Sequence, residues 1–179
     1  MSPADRELNA GEWAVLTLCD EGATHGFELA QALAPDGPVG RVWAVPRPVV
    51  YRALRRLQDL GLVEELGSEE SRSGPPRMRV RATRAARPRV DAWLAEPVEH
   101  VRDARYLLLL KLLFLDRRRR SADALIAGQT ALYVAIEDRL RARLPDAEGF
   151  DRVLISWRLQ SARAALQFLA DPELNRRGS

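Results

Sequence analysis

A chain of 179 residues has room for one domain or two small ones, and 46% apolar with 30% charged residues suffices for a packed core under a charged surface. The single cysteine, Cys19, excludes an internal disulfide and any cysteine-based metal centre, and a net charge of +3 does not by itself mark a polyanion binder. The polar segment Met1–Asn9 lacks the apolar run of a signal peptide, and the longest apolar block, 106–115, broken by Lys111, falls well short of the roughly 20 residues needed to span a bilayer, so a soluble, cytoplasmic protein is expected.

Asn9 is placed to cap a first helix carrying Glu12, Trp13, Val15, Leu16, Leu18 and Cys19, with Gly22 closing it at the C′ position. Thr24 is placed to cap a second, His25 to Ala34, with Phe27, Leu29, Ala30 and Leu33 inward. Residues 35–40, Pro-Asp-Gly-Pro-Val-Gly, read as a loop. A third helix starts at Pro46–Pro48, where proline is tolerated, and runs to Leu60 with Val50, Ala53, Leu54 and Leu57 buried; Gly61 ends it. Residues 62–66 read as a strand and 68–76 as a hairpin loop, and Met78, Val80 and Ala82 alternate with Arg77, Arg79 and Arg81 at the period of a half-exposed strand. Thr83 begins a further helix with Val90, Trp93 and Leu94, inside which Pro88 predicts a kink or a later start. Pro97 marks a boundary. Beyond it the pattern predicts helices over about 99–116, 121–144 (capped by Ser121) and 150–170, then a frayed polar end from Asp171. The third of these places Leu154, Trp157, Ser161, Ala164, Ala165 and Phe168 on one face.

The expected fold is mainly α: a winged helix-turn-helix of three helices and a two-stranded wing over 1–95, then an all-helical dimerisation domain over 96–179. Local charge gives that order a purpose. Residues 1–95 carry 13 arginines and 13 acids, yet Arg41–Arg56 holds five arginines and no acid, and Arg72–Arg89 holds seven and no acid. These two basic segments fall on the third helix and the wing, the elements that enter a DNA groove or follow its phosphates in such a fold. Positions 48, 51, 52 and 55 share one helical face. Arg47, Tyr51 and Arg52 are therefore candidates for the groove, and Arg55, on the same face, is a further DNA-binding candidate. Thr24 and His25, at a helix N-terminus, are candidates for a phosphate, and Arg72, Arg77 and Arg79 for the wing. Tyr51 has a second reading, packing against the start of the second helix.

Several segments resemble the PadR family of transcription regulators: Glu12-Trp13-Ala14-Val15-Leu16, Thr24-His25-Gly26-Phe27-Glu28-Leu29, and above all Val50-Tyr51-Arg52-Ala53-Leu54-Arg55-Arg56-Leu57 followed by Gly61-Leu62-Val63, which fits the family's Tyr-x-x-Leu-x-x-Leu stretch ending in Gly-Leu. The segment 97–103, Pro-Val-Glu-His-Val-Arg-Asp, before long helices resembles the branch with the larger C-terminal domain. The resemblance implies a homodimer, a repressor-like role on a pseudo-palindromic operator, and response to a small molecule. Ala86, where the family usually has glycine, and Pro88 depart from it and bear on the start of the fourth helix.

The remaining signals have plainer readings. The apolar block implies a dimer core drawing on Leu107, Leu108, Lys111, Leu112 and Leu115, with Leu154, Trp157, Ala165 and Phe168 from the last helix; the alternative is a monomeric bundle. Trp43 and Trp157 are candidates for an effector pocket, whereas Trp13 and Trp93 read as core. Cys19 reads as a buried inert thiol and Arg117–Arg120 as a solvated helix end. No Ser-His-Asp set, phosphate-cradling glycine loop, HExxH or CxxC is present, and His25 and His100 are the only histidines, so neither catalysis nor a metal or other cofactor is expected. The competing function is a winged-helix protein-interaction module that does not bind DNA.

Overall fold

The structure, a computed structural model, describes residues 8–22, 24–69 and 77–176. The chain divides into two compact units, Met1–Trp93 and Leu94–Ser179. In the first, α1 (Ala10–Glu21) is started by Asn9, whose side chain accepts from the Gly11 and Glu12 amides while the Glu12 carboxylate takes the Asn9 N–H at 2.8 Å. This reciprocal cap satisfies amides that the helix cannot. Gly22 follows the helix in an extended conformation, φ 167°, rather than the left-handed one expected of a C′ glycine. The extended path leads into a two-residue strand, β1 (Thr24–His25), ahead of α2 (Gly26–Ala32).

His25, not Thr24, caps α2: its Nδ1 accepts the Glu28 N–H at 3.2 Å. The helix is also shorter than its apolar pattern predicts. Leu29, Ala30 and Leu33 are buried as expected, but Phe27 is not. After α2 the backbone doubles back, with the Val39 and Gly40 amides donating to the Ala32 carbonyl and Val45 N–H to Leu33 O. A Cβ on Gly40 would sit 1.8 Å from the Ala34 carbonyl oxygen, so this turn admits only glycine.

α3 (Arg47–Asp59) begins after Pro46 and buries Val50, Ala53, Leu54 and Leu57, the stripe read from the sequence. Its end is a Schellman closure: Leu62 N–H donates to Leu57 O, Gly61 N–H to Gln58 O, and Gly61 lies at φ +66°. β2 (Val63–Glu69) and β3 (Arg77–Ala82) pair antiparallel, with a bulge between Glu65 and Gly67. The sheet has three strands rather than the expected two, in the order β1-β3-β2, because Thr24 and His25 pair with Val80 and Arg79. This is a winged helix-turn-helix.

α4 (Ala86–Ala95) starts three residues later than predicted from Thr83, whose hydroxyl instead donates to the Gly61 carbonyl. The late start puts Pro88 in the first turn, where a missing N–H costs no helical hydrogen bond, so the predicted conflict resolves without a kink. Trp13 and Trp93 stack with centroids 5.1 Å apart, as core.

The second unit is helical. The continuous helix expected over 99–116 is three pieces: a 3₁₀ turn at Val101–Asp103, a π-helical stretch at Ala104–Leu108, and α5 (Leu109–Arg117). α6 (Asp123–Arg143) packs against α7 (Gly149–Leu169). Ser121 does not cap α6 as predicted; Ala122 holds the cap position and the Ser121 hydroxyl accepts from the Asp123 amide from one residue further out. The polar end does not fray where described but forms α8 (Pro172–Arg176), with Asp171 accepting from the Glu173 N–H. Gln129, fully buried, brackets residue 98: its side-chain oxygen accepts the Val98 N–H and its amide donates to the Val98 carbonyl. No helix among the described residues is long and apolar enough to cross a membrane.

Candidate nucleic-acid interface

With Val50, Ala53, Leu54 and Leu57 turned inward, the helical period turns Arg47, Arg52 and Arg55 outward, and all three are exposed. Among the described residues no carboxylate pairs with any of them. Arg56 behaves differently. It points toward α1 and pairs with Glu12, whose side chain is 6% exposed. One carboxylate thus caps α1 and ties it to α3, fixing the angle at which the arginine face is presented.

Arg47 is held by two rings. Its guanidinium carbon lies 5.6 Å from the centre of Phe27 and 5.7 Å from that of Tyr51. Phe27, expected to be core, is exposed because it serves as one side of this support. Tyr51 is half-buried and takes its packing role: a Cβ on Gly26 would lie 2.6 Å from the ring. Gly26 is therefore the residue that lets α3 seat on α2.

Thr24 and His25 are turned onto Glu28 rather than outward. The Thr24 hydroxyl donates to one Glu28 oxygen at 2.9 Å, and His25 Nε2 lies 3.5 Å from the other. His25 Nδ1 already takes an amide that a phosphate would use, and the Glu28 carboxylate repels an anion at that point. The pair braces the helix start and the sheet. On the wing, Arg79 is exposed and stands opposite His25 in the β1–β3 register, while Arg81 pairs with Glu64 at 2.8 Å. Arg72 and the side chain of Arg77 lie outside the described residues. The sequence reading missed Phe27, Gly26 and Glu12. For Glu12 a local signal exists, an asparagine three residues before a glutamate at a helix start.

No protein-family model and no curated protein matches this sequence. Solved structures similar to the chain include Bacillus subtilis PadR in complex with operator DNA, at 19% identity and TM-score 0.46 over 91% of this chain and 97% of that one. Bacillus subtilis PadR is another, at 16% identity and TM-score 0.39 over 97% and 99%. At these values the likeness lies in the course of the chain. The roles of individual residues rest on the geometry above.

The other candidates fall in different surroundings. Trp43 is half-buried, its ring edge 3.8 Å from where a Cβ on Gly11 would stand. Trp157 is 71% exposed and Phe168 39%, while Leu154 and Ala165 are intermediate; the residues that α7 buries are Ile155, Leu159, Ala162 and Leu169. Leu108, Lys111 and Leu115, assigned to a dimer core, are buried within their own chain; Leu107 and Leu112 are partly exposed. Lys111 Nζ donates to the Glu96 carbonyl, and burial lowers its pKa to about 8, a shift partly opposed by Glu96. Cys19 is buried and its thiol is pushed up to about 12, chiefly by burial and then by Asp20, which keeps it protonated and unreactive.

Proposed function

We propose that the chain is a PadR-like, cytoplasmic transcription regulator that binds double-stranded DNA as a homodimer and acts as a repressor responsive to a small molecule. Residues 1–95 form the DNA-binding domain and 96–179 the dimerisation domain. The observation that carries the proposal is the outer face of α3: Arg47, Arg52 and Arg55 exposed, without carboxylate partners among the described residues, on a helix locked to α1 by Glu12–Arg56 and to α2 by Tyr51 over Gly26. A helix so presented fits the major groove, where arginine reads guanine through two parallel N–H bonds. Tyr51 orients Arg47, Thr24 and His25 brace the helix start, and Arg72, Arg77 and Arg79 take phosphates from the wing.

Dimerisation is supported by α7. Phe150, Val153 and Trp157, at 76%, 58% and 71% exposure, form an apolar stripe too prominent for a solitary surface. In a two-fold dimer the recognition helices meet half-sites roughly 34–36 Å apart or a multiple of it. Selection from random DNA followed by footprinting tests the reading. The expected result is a symmetric protected site, lost by about 1–3 kcal/mol in Arg52→Ala, with affinity falling steeply with salt. An asymmetric site bound one to one, or affinity indifferent to salt, defeats it.

A further inference from the structure

Among the described residues Phe27 is the one aromatic residue of the N-terminal unit that is exposed, with 36% of its surface open. The core does not use it, since α2 buries Leu29 and Ala30 instead. The ring is nonetheless held in place. The His25 ring lies 6.3 Å from it, centre to centre, and the Arg47 guanidinium carbon 5.6 Å from its centre. A fixed apolar ring in water is a cost that contact with a partner recovers. Arg47, held by Phe27 and Tyr51, offers the paired N–H donors that match N7 and O6 of a guanine. Base pairs stack about 3.4 Å apart, so a ring centred 5.6 Å from the guanidinium carbon falls beside the neighbouring base pair when the guanidinium lies level with a guanine. Of the four bases only thymine presents an apolar group in the major groove, its 5-methyl. The polar edges of the other three would lose water against the ring and gain no hydrogen bond from it.

We propose that Phe27 and Arg47 act as one unit on two neighbouring base pairs: Arg47 takes a guanine through N7 and O6, and the Phe27 ring packs on the methyl group of a thymine in the adjacent pair. Phe27 belongs to α2, so the bracing helix shares the reading of sequence with α3. The inference rests on the DNA-binding reading above and sharpens it from a helix in a groove to two stated bases.

The test starts from the operator selected from random DNA and uses the full chain. 7-Deazaguanine, which lacks the N7 acceptor, replaces each guanine in turn, and deoxyuridine, which lacks only the methyl group, replaces each thymine. The guanine taken by Arg47 is the one whose replacement weakens binding by about 10-fold in the parent and no further in Arg47→Gln. Deoxyuridine at a thymine beside that guanine is expected to weaken binding by about 4-fold per half-site, the worth of one buried methyl group. In Phe27→Ala this ratio of thymine to deoxyuridine affinity should fall to about 1, whatever the absolute affinity of the variant, while penalties at other thymines stay. Phe27→Gln, polar but of similar reach, should give the same ratio, and circular dichroism checks that both variants fold. No thymine beside the Arg47 guanine, no deoxyuridine penalty there, or a ratio unchanged in both variants overturns the inference and leaves DNA binding standing. A set of guanines none of which depends on Arg47 also overturns it, and the footprint and Arg52→Ala still decide the DNA reading. If no duplex is selected at all, the DNA reading fails and this inference falls with it.

Discussion

The two units handle charge in opposite ways. The N-terminal unit keeps most of its apolar side chains inside, ties its covered carboxylates to arginines (Glu12 to Arg56, Asp20 to Arg87), and leaves arginines outside on α3. The C-terminal unit does the reverse in part. It buries a lysine and a glutamine and seals in the hydroxyl of Tyr133, which has no hydrogen-bond partner among the described residues, while Phe150, Val153 and Trp157 face outward. A surface of exposed cations suits a solvated polyanion. A surface of exposed rings suits a second protein. The contrast matches the different partners proposed for the two units, and it can be broken experimentally from either side.

The largest expected effect is on the apolar side. Trp157→Glu places a charge in the stripe of α7 and should weaken self-association by ~100-fold or more, as loss of a buried aromatic anchor does. Sedimentation would then report a species near the 20.1 kDa of one chain instead of twice that mass. Since Trp157 is 71% exposed, the monomer should stay folded by circular dichroism. A dimer that survives the change puts the interface elsewhere.

Glu12→Ala comes next. It removes the Glu12 half of the reciprocal cap of α1 and the ion pair with Arg56, and should cost about 2–4 kcal/mol in urea unfolding. If the loss is below about 0.5 kcal/mol, the pair is a surface contact and does not set the angle of α3. Gly26→Ala should cost about 1–2 kcal/mol, because the new methyl group must displace the Tyr51 ring.

The smallest effect sharpens the odd burial in the second unit. Lys111 has a pKa of about 8 in the folded chain against 10.5 for a free side chain. Below pH 8 it is protonated in both states, and the folded state carries the full cost of a buried cation. Between about 8 and 10.5 the folded state loses its proton first, so stability rises with pH through that window. Lys111→Met should therefore be more stable than the parent by about 1 kcal/mol at pH 7, less the lost hydrogen bond to Glu96, and the advantage should vanish by pH 10. Cys19 and Tyr133, both raised to about 12, work in the other direction at high pH but are common to both proteins and cancel. A difference independent of pH would show that the lysine is solvated.

Legibility followed the range of the interaction. α3 was readable because Pro46, Pro48 and Gly61 punctuate it and its apolar residues repeat at the helical period. β1 left no trace: two residues have no period, and they become a strand only by pairing with Val80 and Arg79 far along the chain. Phe27 misled because apolarity predicts burial, whereas here a cation covers the ring. The Glu12–Arg56 pair spans 44 positions, beyond any local pattern. The 3₁₀ and π turns before α5 were hidden because a slip of one residue over so short a span barely alters an apolar repeat. On α7 the apolar residues were found, but which stripe stays covered within one chain depends on the packing of α6.

Lys111 is the chain's only lysine, and it is 2% exposed. Every other basic side chain apart from two histidines is therefore a guanidinium, which keeps its proton across all physiological conditions and accepts no acetyl group. Acylating enzymes and shifts in acidity have almost nothing to grip on the face of α3. On the proposed function, release from a duplex would then come by obstruction or by a change of shape, since the sign of that face cannot be switched off.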